Sequence, residues 1–248
     1  RVLFRQRWGY KRGKQDSSAF LKYEEEVVEP TYQALKAELI DKDIFDPIAI
    51  YAYYPCISHD NKLYIFDRKY LFNTLEESKN IPPLSEAIKV LEFPRQKRKP
   101  FRCIADFFAN DRLDVVGFTL ASAGLKISDY EREFYDRGEF TKYYQVHGLG
   151  VELAEALAEV LHKQIRLDWD IVPKEGHKLS DVQMKQYVGC RYSPGYAACP
   201  ELSQNRDIFD LLNPEKYGIE LSETFQMHPE QTTCAIVVHN KEANYYNV

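Results

Sequence analysis

Apolar positions along the chain change period several times, and each change predicts an element. Residues 1–12 mix aromatic and basic side chains and predict a short helix ended by Gly13. From an N-cap cluster at Asp16-Ser17-Ser18, a helical pattern runs to about residue 40, with Phe20, Tyr23, Val27, Leu35 and Leu39 on one side. Pro30 should kink or split that helix, and Glu24, Glu25 and Glu26 read as its solvated face. The run Ile48-Ala49-Ile50-Tyr51-Ala52-Tyr53-Tyr54, opened by Asp46-Pro47 and closed by Pro55, predicts a strand. It pairs through a loop at Asp60-Asn61 with a second, Lys62-Leu63-Tyr64-Ile65-Phe66. A third strand is expected at Asp114-Val115-Val116-Gly117-Phe118-Thr119-Leu120, ended by Gly124.

Over residues 128–168 the period is helical again, with an interruption expected at Gly148-Leu149-Gly150. Leu149, Leu153, Leu157, Leu161 and Ile165 mark a central helix packed along an apolar stripe. A loop over residues 173–178 and a short helix from Ser180 to about Tyr187 should follow. Asp207-Ile208-Phe209-Asp210-Leu211-Leu212 predicts a helix stopped near Asn213-Pro214, and residues 219–226 and 233–239 have strand composition, with Pro229-Glu230 in the turn between. Strands and helices do not alternate as a parallel sheet demands. The pattern therefore favours an α+β fold in which an antiparallel twisted sheet packs with long helices. Residues 1–45 form its helical N-terminal part and residues 46–248 carry the sheet.

Composition narrows the class. Of 248 residues 44% are hydrophobic and 29% charged, with no apolar run long enough for a membrane helix. A net charge of -5 disfavours nucleic acid as partner. The chain opens Arg1-Val2-Leu3-Phe4, without signal-peptide pattern or initiator methionine, so a fragment of a longer protein is expected. Cys56, Cys103, Cys190, Cys199 and Cys234 are odd in number and scattered, which fits reduced thiols in the cytoplasm and argues against a cysteine zinc site. No phosphate-loop, dinucleotide, nucleophile-elbow or zincin motif occurs.

Candidate chemistry gathers in few places. Arg191-Tyr192-Ser193-Pro194-Gly195-Tyr196-Ala197-Ala198-Cys199-Pro200-Glu201 can hold neither helical nor strand period, so it reads as an ordered loop whose backbone amides and arginine fork could face a ligand or serve only as a turn. Asp106, alone among apolar residues, is either an N-cap satisfied by backbone amides or an acceptor for a ligand's amine or hydroxyl. Arg95, Lys97, Arg98, Lys99 and Arg102 form a solvated loop or a docking patch for an acidic partner. Glu155, Glu159 and His162 carry spacings seen in metal-binding bundles, but no second Glu-x-x-His accompanies them, and no metal is expected.

The loop from Arg191 to Glu201 resembles the Arg-x-x-x-Gly-Tyr-x-x-Cys-Pro-Asp/Glu signature of the C-terminal activation domain of cobalamin-dependent methionine synthase. Cys103-Ile104-Ala105-Asp106-Phe107, Ala154-Glu155-Ala156-Leu157-Ala158-Glu159-Val160-Leu161-His162, Leu221-Ser222-Glu223-Thr224-Phe225 and Asn244-Tyr245-Tyr246 are similar to further segments of that family, in order and at fitting distances. The resemblance implies a single C-shaped domain that binds S-adenosylmethionine and docks on the cobalamin-binding domain of the same protein. There an electron from flavodoxin or a flavin reductase and a methyl from S-adenosylmethionine regenerate methylcobalamin from cob(II)alamin. It implies that Asp106 receives the ligand's amino group and Arg191 its carboxylate, that Ser193 and Gly195 offer backbone groups, and that Tyr196, the residue assigned to catalysis, lies near the transferred methyl. Tyr245 and Tyr246 would flank the adenosine and Glu155 would add a second acid, or cap a polar cluster between helix and sheet.

Lys185 stands where some members carry a glutamate, Ser193 replaces a frequent alanine, and Glu201 stands for the commoner aspartate. Beside the activation module, part of a methyltransferase that would not turn over alone, two alternatives stay open: a stand-alone corrinoid-reactivating or S-adenosylmethionine-binding protein acting in trans, and a non-catalytic docking module.

Overall fold

Twelve consecutive residues form the longest strand, β1 (Ile48–His59), and the sheet is built outward from it in the computed structural model, which describes residues 3–13, 16–172 and 187–248. On one side lie β2 (Lys62–Ile65) and β3 (Lys89–Glu92); on the other lie β4 (Asp114–Ser122), β8 (Thr232–Val238) and β5 (Cys190–Tyr192), giving the order β3-β2-β1-β4-β8-β5 with every pairing antiparallel. β1 runs on through Pro55, where the pattern predicted its end. The Pro55 carbonyl accepts from the Phe66 amide at 2.9 Å, so its nitrogen faces the β2 side and the β1–β4 ladder loses nothing. β6 (Glu220–Leu221) and β7 (Met227–His228) make a separate two-stranded pair, much shorter than the strand expected over 219–226. Ser222 turns the chain there, its hydroxyl accepting from the Gln226 amide at 3.0 Å.

The two faces of the sheet bury different partners, as strand alternation requires. Val116, Phe118 and Leu120 of β4 and Cys234, Ile236 and Val238 of β8 point into the main core with Ile104, Phe107 and the helix α5 (Gln204–Leu212). Ala121, on the opposite face of β4, packs instead against Ala158 and Leu161 of the central helix α4 (Phe140–Asp168).

The helix expected over 16–40 is split. α1 (Ser17–Tyr23), whose N-cap Asp16 accepts from the Ser18 amide, is followed by a wider π-helical turn over Glu24–Val28 and then by α2 (Glu29–Asp41), with Pro30 in its first turn, where no N–H is needed. The extra residue in the π turn rotates the buried face: Val28 is enclosed in place of Val27, and Glu24 is only 7% exposed while Glu25 and Glu26 stay in solvent. At the N-terminus a π-helical turn spans only Leu3–Arg7.

In the second helical stretch the break falls at Gly138, in the left-handed region at φ 74°, between α3 (Leu125–Asp136) and α4. Gly148 and Gly150, expected to interrupt, lie inside an unbroken α4. They are there for clearance: a Cβ on Gly150 would stand 2.8 Å from Gln231 Cγ, and one on Gly148 2.8 Å from Arg7 Cβ. The face of α4 against the sheet thus carries small residues, Gly150, Ala154 and Ala158, and Leu149, Leu153 and Leu157 of the predicted stripe are only half-buried. α2, α3 and the start of α4 share a second core of Leu35, Leu39, Ile127, Tyr130, Phe134 and Val146. Among the described residues no helix is long and apolar enough to cross a membrane. The loop expected over 173–178 and most of the helix expected from Ser180 lie outside the described residues.

Candidate functional site

At the β5 edge of the sheet, three segments meet α4. Strand alternation sends Cys190 and Tyr192 of β5 into the main core and Arg191 to the opposite face, toward α4. There its Nη2 donates to Glu159 Oε1 at 2.5 Å. Arg191 Nε and Glu159 Oε2 are buried without a hydrogen-bond partner, so the pair is only partly satisfied.

Residues 193–199 fold back on themselves. Gly195 N donates to Cys199 O at 2.8 Å, Cys199 N donates to Tyr196 O at 2.8 Å, and Gly195 takes φ 89°, a conformation that favours glycine. This tight turn leaves the Tyr196 side chain projecting, 70% exposed. It is anchored from beneath by Cys199 Sγ donating to Gln204 Oε1 at 3.0 Å, and Gln204 Nε2 in turn donates to Glu92 O at 2.8 Å. Burial pushes the Cys199 thiol up to about 12.

The C-terminal tail supplies the other wall. Tyr192 Oη donates to Asn244 O at 2.7 Å, and the rings of Tyr245 and Tyr246 stand 6.0 and 6.2 Å from the Tyr192 ring. Phe107 stacks on Tyr192 at an interplanar angle of 9° and meets Tyr246 edge-on. The basic segment ties the tail down from outside: Arg102 Nη1 donates to Asn244 Oδ1 at 2.8 Å and Gln96 Nε2 donates to Asn247 O at 2.7 Å. Burial raises the phenols of both tail tyrosines above their ordinary value. Tyr246 Oη is a buried donor without a partner.

Between these walls lies a cleft of about 280 Å³ whose lining includes Glu155, Arg191, Ser193, Tyr196, Tyr245 and Tyr246. Six of the eight residues expected from sequence therefore meet in one place. Gly195 shapes the loop without lining the cleft. Asp106 does not line it either: its carboxylate takes Arg95 in a two-pronged pair at 2.6 and 2.7 Å and accepts the Cys103 amide at 3.0 Å, closing a capping turn. It nonetheless lies close enough to Tyr246 for its charge to help raise that phenol, after burial and Cys103.

Sequence reasoning left three participants without a role. Glu159 follows Glu155 by one helical turn, a signal that could have paired it with Arg191. Thr233 enters the cleft because β8 alternates, and Arg95 was read only as one charge in a basic run. Among the described residues no group of three or more His, Cys, Asp and Glu side chains is placed to hold a metal. A cation, an acid and phenol rings around one cleft suit a zwitterion joined to a planar ring system.

Fold and site together define an α+β module with a cleft at the open edge of an antiparallel sheet. The profile described as "Vitamin B12 dependent methionine synthase, activation domain" matches residues 5–248, and the chain belongs to that family. It is 34% identical over 268 residues to the methionine synthase of Mycobacterium tuberculosis, an alignment covering 100% of this chain and 21% of the relative. With the methionine synthase of Mycobacterium leprae it shares 36% identity over 212 residues, covering 80% and 17%. The chain thus spans about a fifth of the length of these relatives. Its backbone is similar to the crystal structure of the MetH reactivation domain bound to AdoHcy, with a TM-score of 0.82 at 23% identity, over 98% of this chain and 74% of that one. That likeness establishes the fold, the α+β arrangement expected from sequence.

Proposed function

We propose that the cleft binds S-adenosylmethionine and that the module presents its methyl group to a corrinoid carried by a separate domain of a parent methionine synthase. The observation that carries this is the meeting of Arg191, Glu155 and four tyrosines around one cleft in a chain of this family. The structural neighbour's AdoHcy, the product left by such a transfer, supports it. The corrinoid would supply the methyl acceptor and its redox chemistry.

The chain's own residues do the positioning. Arg191 holds the ligand carboxylate with the donors not spent on Glu159, since a guanidinium fork matches a carboxylate. Glu155 faces the ligand from α4. Asp106 keeps lone pairs beyond those given to Arg95 and Cys103 and accepts the ligand's ammonium, with Tyr246 beside it. Backbone groups of Ser193 meet the ligand along the loop that Gly195 shapes, Tyr245 and Tyr246 flank the adenosine, and exposed Tyr196 stands where the methyl leaves. The sulfonium is already activated, so geometry is the module's contribution and the isolated domain does not turn over.

The partners on this reading are the cobalamin-binding domain and, for the electron, flavodoxin or a flavin reductase. The five buried cysteines, none in a disulfide, suit a cytoplasmic parent, where thiols stay reduced.

Calorimetric titration with S-adenosylmethionine tests the assignment. The wild-type domain should bind, and Arg191→Ala should lose about 1.5–3 kcal/mol, the range for a hydrogen bond to a charged group. Asp106→Asn should weaken binding in the same direction. Equal affinity in Arg191→Ala and wild type would remove Arg191 from the site.

A further inference from the structure

Behind the cleft, on the face of α4 that meets β5, the small residues Ala154 and Ala158 give way to His162 and Arg166. Arg166 is 0% exposed, yet its Nε, Nη1 and Nη2 have no hydrogen-bond partner. Tyr187 covers the face of the guanidinium, with Cζ 4.1 Å from the ring centroid, and leaves the in-plane edge, where the N–H groups point, unmatched. His162, also 0% exposed, meets the same Tyr187 ring edge-on at 5.1 Å and has neither ring nitrogen bonded.

Among the described residues the charges do not balance. Burial and the two neighbouring arginines push His162 down to about 2, so its imidazole is neutral, and burial raises the Tyr187 phenol, which keeps its proton. Arg166 and Arg191 are cations, and Glu159 of α4, bonded to Arg191, is the anion beside them. One positive charge is left over, together with a surplus of donors: three nitrogens of Arg166, one of Arg191 and the single N–H of neutral His162. A buried lysine or histidine in this position would shed its proton, but a guanidinium keeps its charge and needs an anion.

We propose that Arg166, with His162 beside it, is a binding site for a small monovalent anion, chloride in solution, that sits at the guanidinium edge and holds the Arg191–Glu159 pair from behind. The site is separate from the cleft, whose lining includes neither His162 nor Arg166. The two share Arg191, so anion occupancy sets the electrostatic setting in which Arg191 meets its ligand. Nothing in this proposal depends on what the cleft binds.

The test is thermal unfolding of the ligand-free chain at constant ionic strength, with chloride or bromide exchanged for a bulky sulfonate. Wild type should gain about 3–8 °C in Tm in saturating halide, the shift that mass-action stabilisation of a domain of this size produces. Arg166→Met, which keeps length and removes the charge, should lose the halide increment and should be no less stable than wild type in the sulfonate. Indifference of the wild-type Tm to the anion, or a full increment retained in Arg166→Met, overturns the proposal. Should Arg166→Met fail to fold, wild-type crystals soaked in bromide decide. An anomalous peak at the Arg166 edge supports the site, and no peak there at saturating bromide overturns it.

Discussion

At Asp106 two roles meet in one carboxylate. It closes the capping turn at Cys103, the bland alternative offered by the sequence, and it pairs with Arg95, while a place among the ligand contacts is proposed for it as well. The same economy holds at Asp114, which accepts the amides of Ala109 and Val115 at 2.9 and 2.7 Å and pairs with His239 Nε2 at 2.7 Å. Hydrogen bonding to Asp114 raises His239 above its ordinary value of 6.5. A raised histidine contributes stability that is complete below pH 6.5 and is lost as pH rises through the folded-state value. His147, held by Glu131, is raised by the same cause and acts in the same direction. His239→Gln should therefore flatten the decline in denaturant-derived stability above pH 6.5, with the residual slope belonging to His147. A slope equal to that of wild type would dismiss the His239–Asp114 pair as its source.

α4 shows at the level of the element why glycine was misread. Its two glycines were expected to break the helix because glycine is a poor helix former, costing about 1 kcal/mol relative to alanine. They persist because the chain packs there more closely than a Cβ allows. Gly150→Ala gains in propensity but drives a methyl against the fully buried Gln231 and Ile127. Overpacking of that kind costs about 1–3 kcal/mol. Urea unfolding should show a net loss of stability in Gly150→Ala, and a gain would mean that Gln231 yields freely. Long runs with one clear period, such as β4 and the body of α4, were legible in the sequence. The π turn at Glu24–Val28, the continuation of β1 past Pro55 and the shortness of β6 were not, because each depends on a partner distant in the chain. For the cleft, six of the motif residues were legible through the family resemblance, whereas Thr233 joins its lining through the alternation of β8, and Glu159 reaches Arg191 from α4 without lining it.

Taken as a whole, the molecule closes its cleft with a tail that belongs to no sheet. Residues 244–248 lie across Tyr192 and are tied by Arg102 and Gln96, without a ladder bond to any strand. Deleting residues 245–248 should leave the circular dichroism of the sheet and helices intact while removing Tyr245 and Tyr246. Loss of two ring contacts should weaken S-adenosylmethionine by about 5- to 100-fold in calorimetry. Undiminished affinity in the truncated chain would show that the tail is not part of the site. The basic loop, in this light, is an outer strap for the tail through Gln96 and Arg102, while Arg95 serves Asp106.

The cysteines give the folded state a further property. Cys56, Cys103, Cys190, Cys199 and Cys234 are all buried thiols, distributed over β1, the capping turn, β5, the loop and β8. Burial raises the thiols of Cys56, Cys103, Cys199 and Cys234, so little thiolate is present to react. An alkylating reagent therefore reads opening rather than surface chemistry. Mass spectrometry after timed iodoacetamide pulses should find the native protein unmodified, with Cys56, Cys190 and Cys234 labelled together once the sheet comes apart. The five sulfurs form a chemical clock for unfolding, already distributed across the fold with no probe to be engineered in.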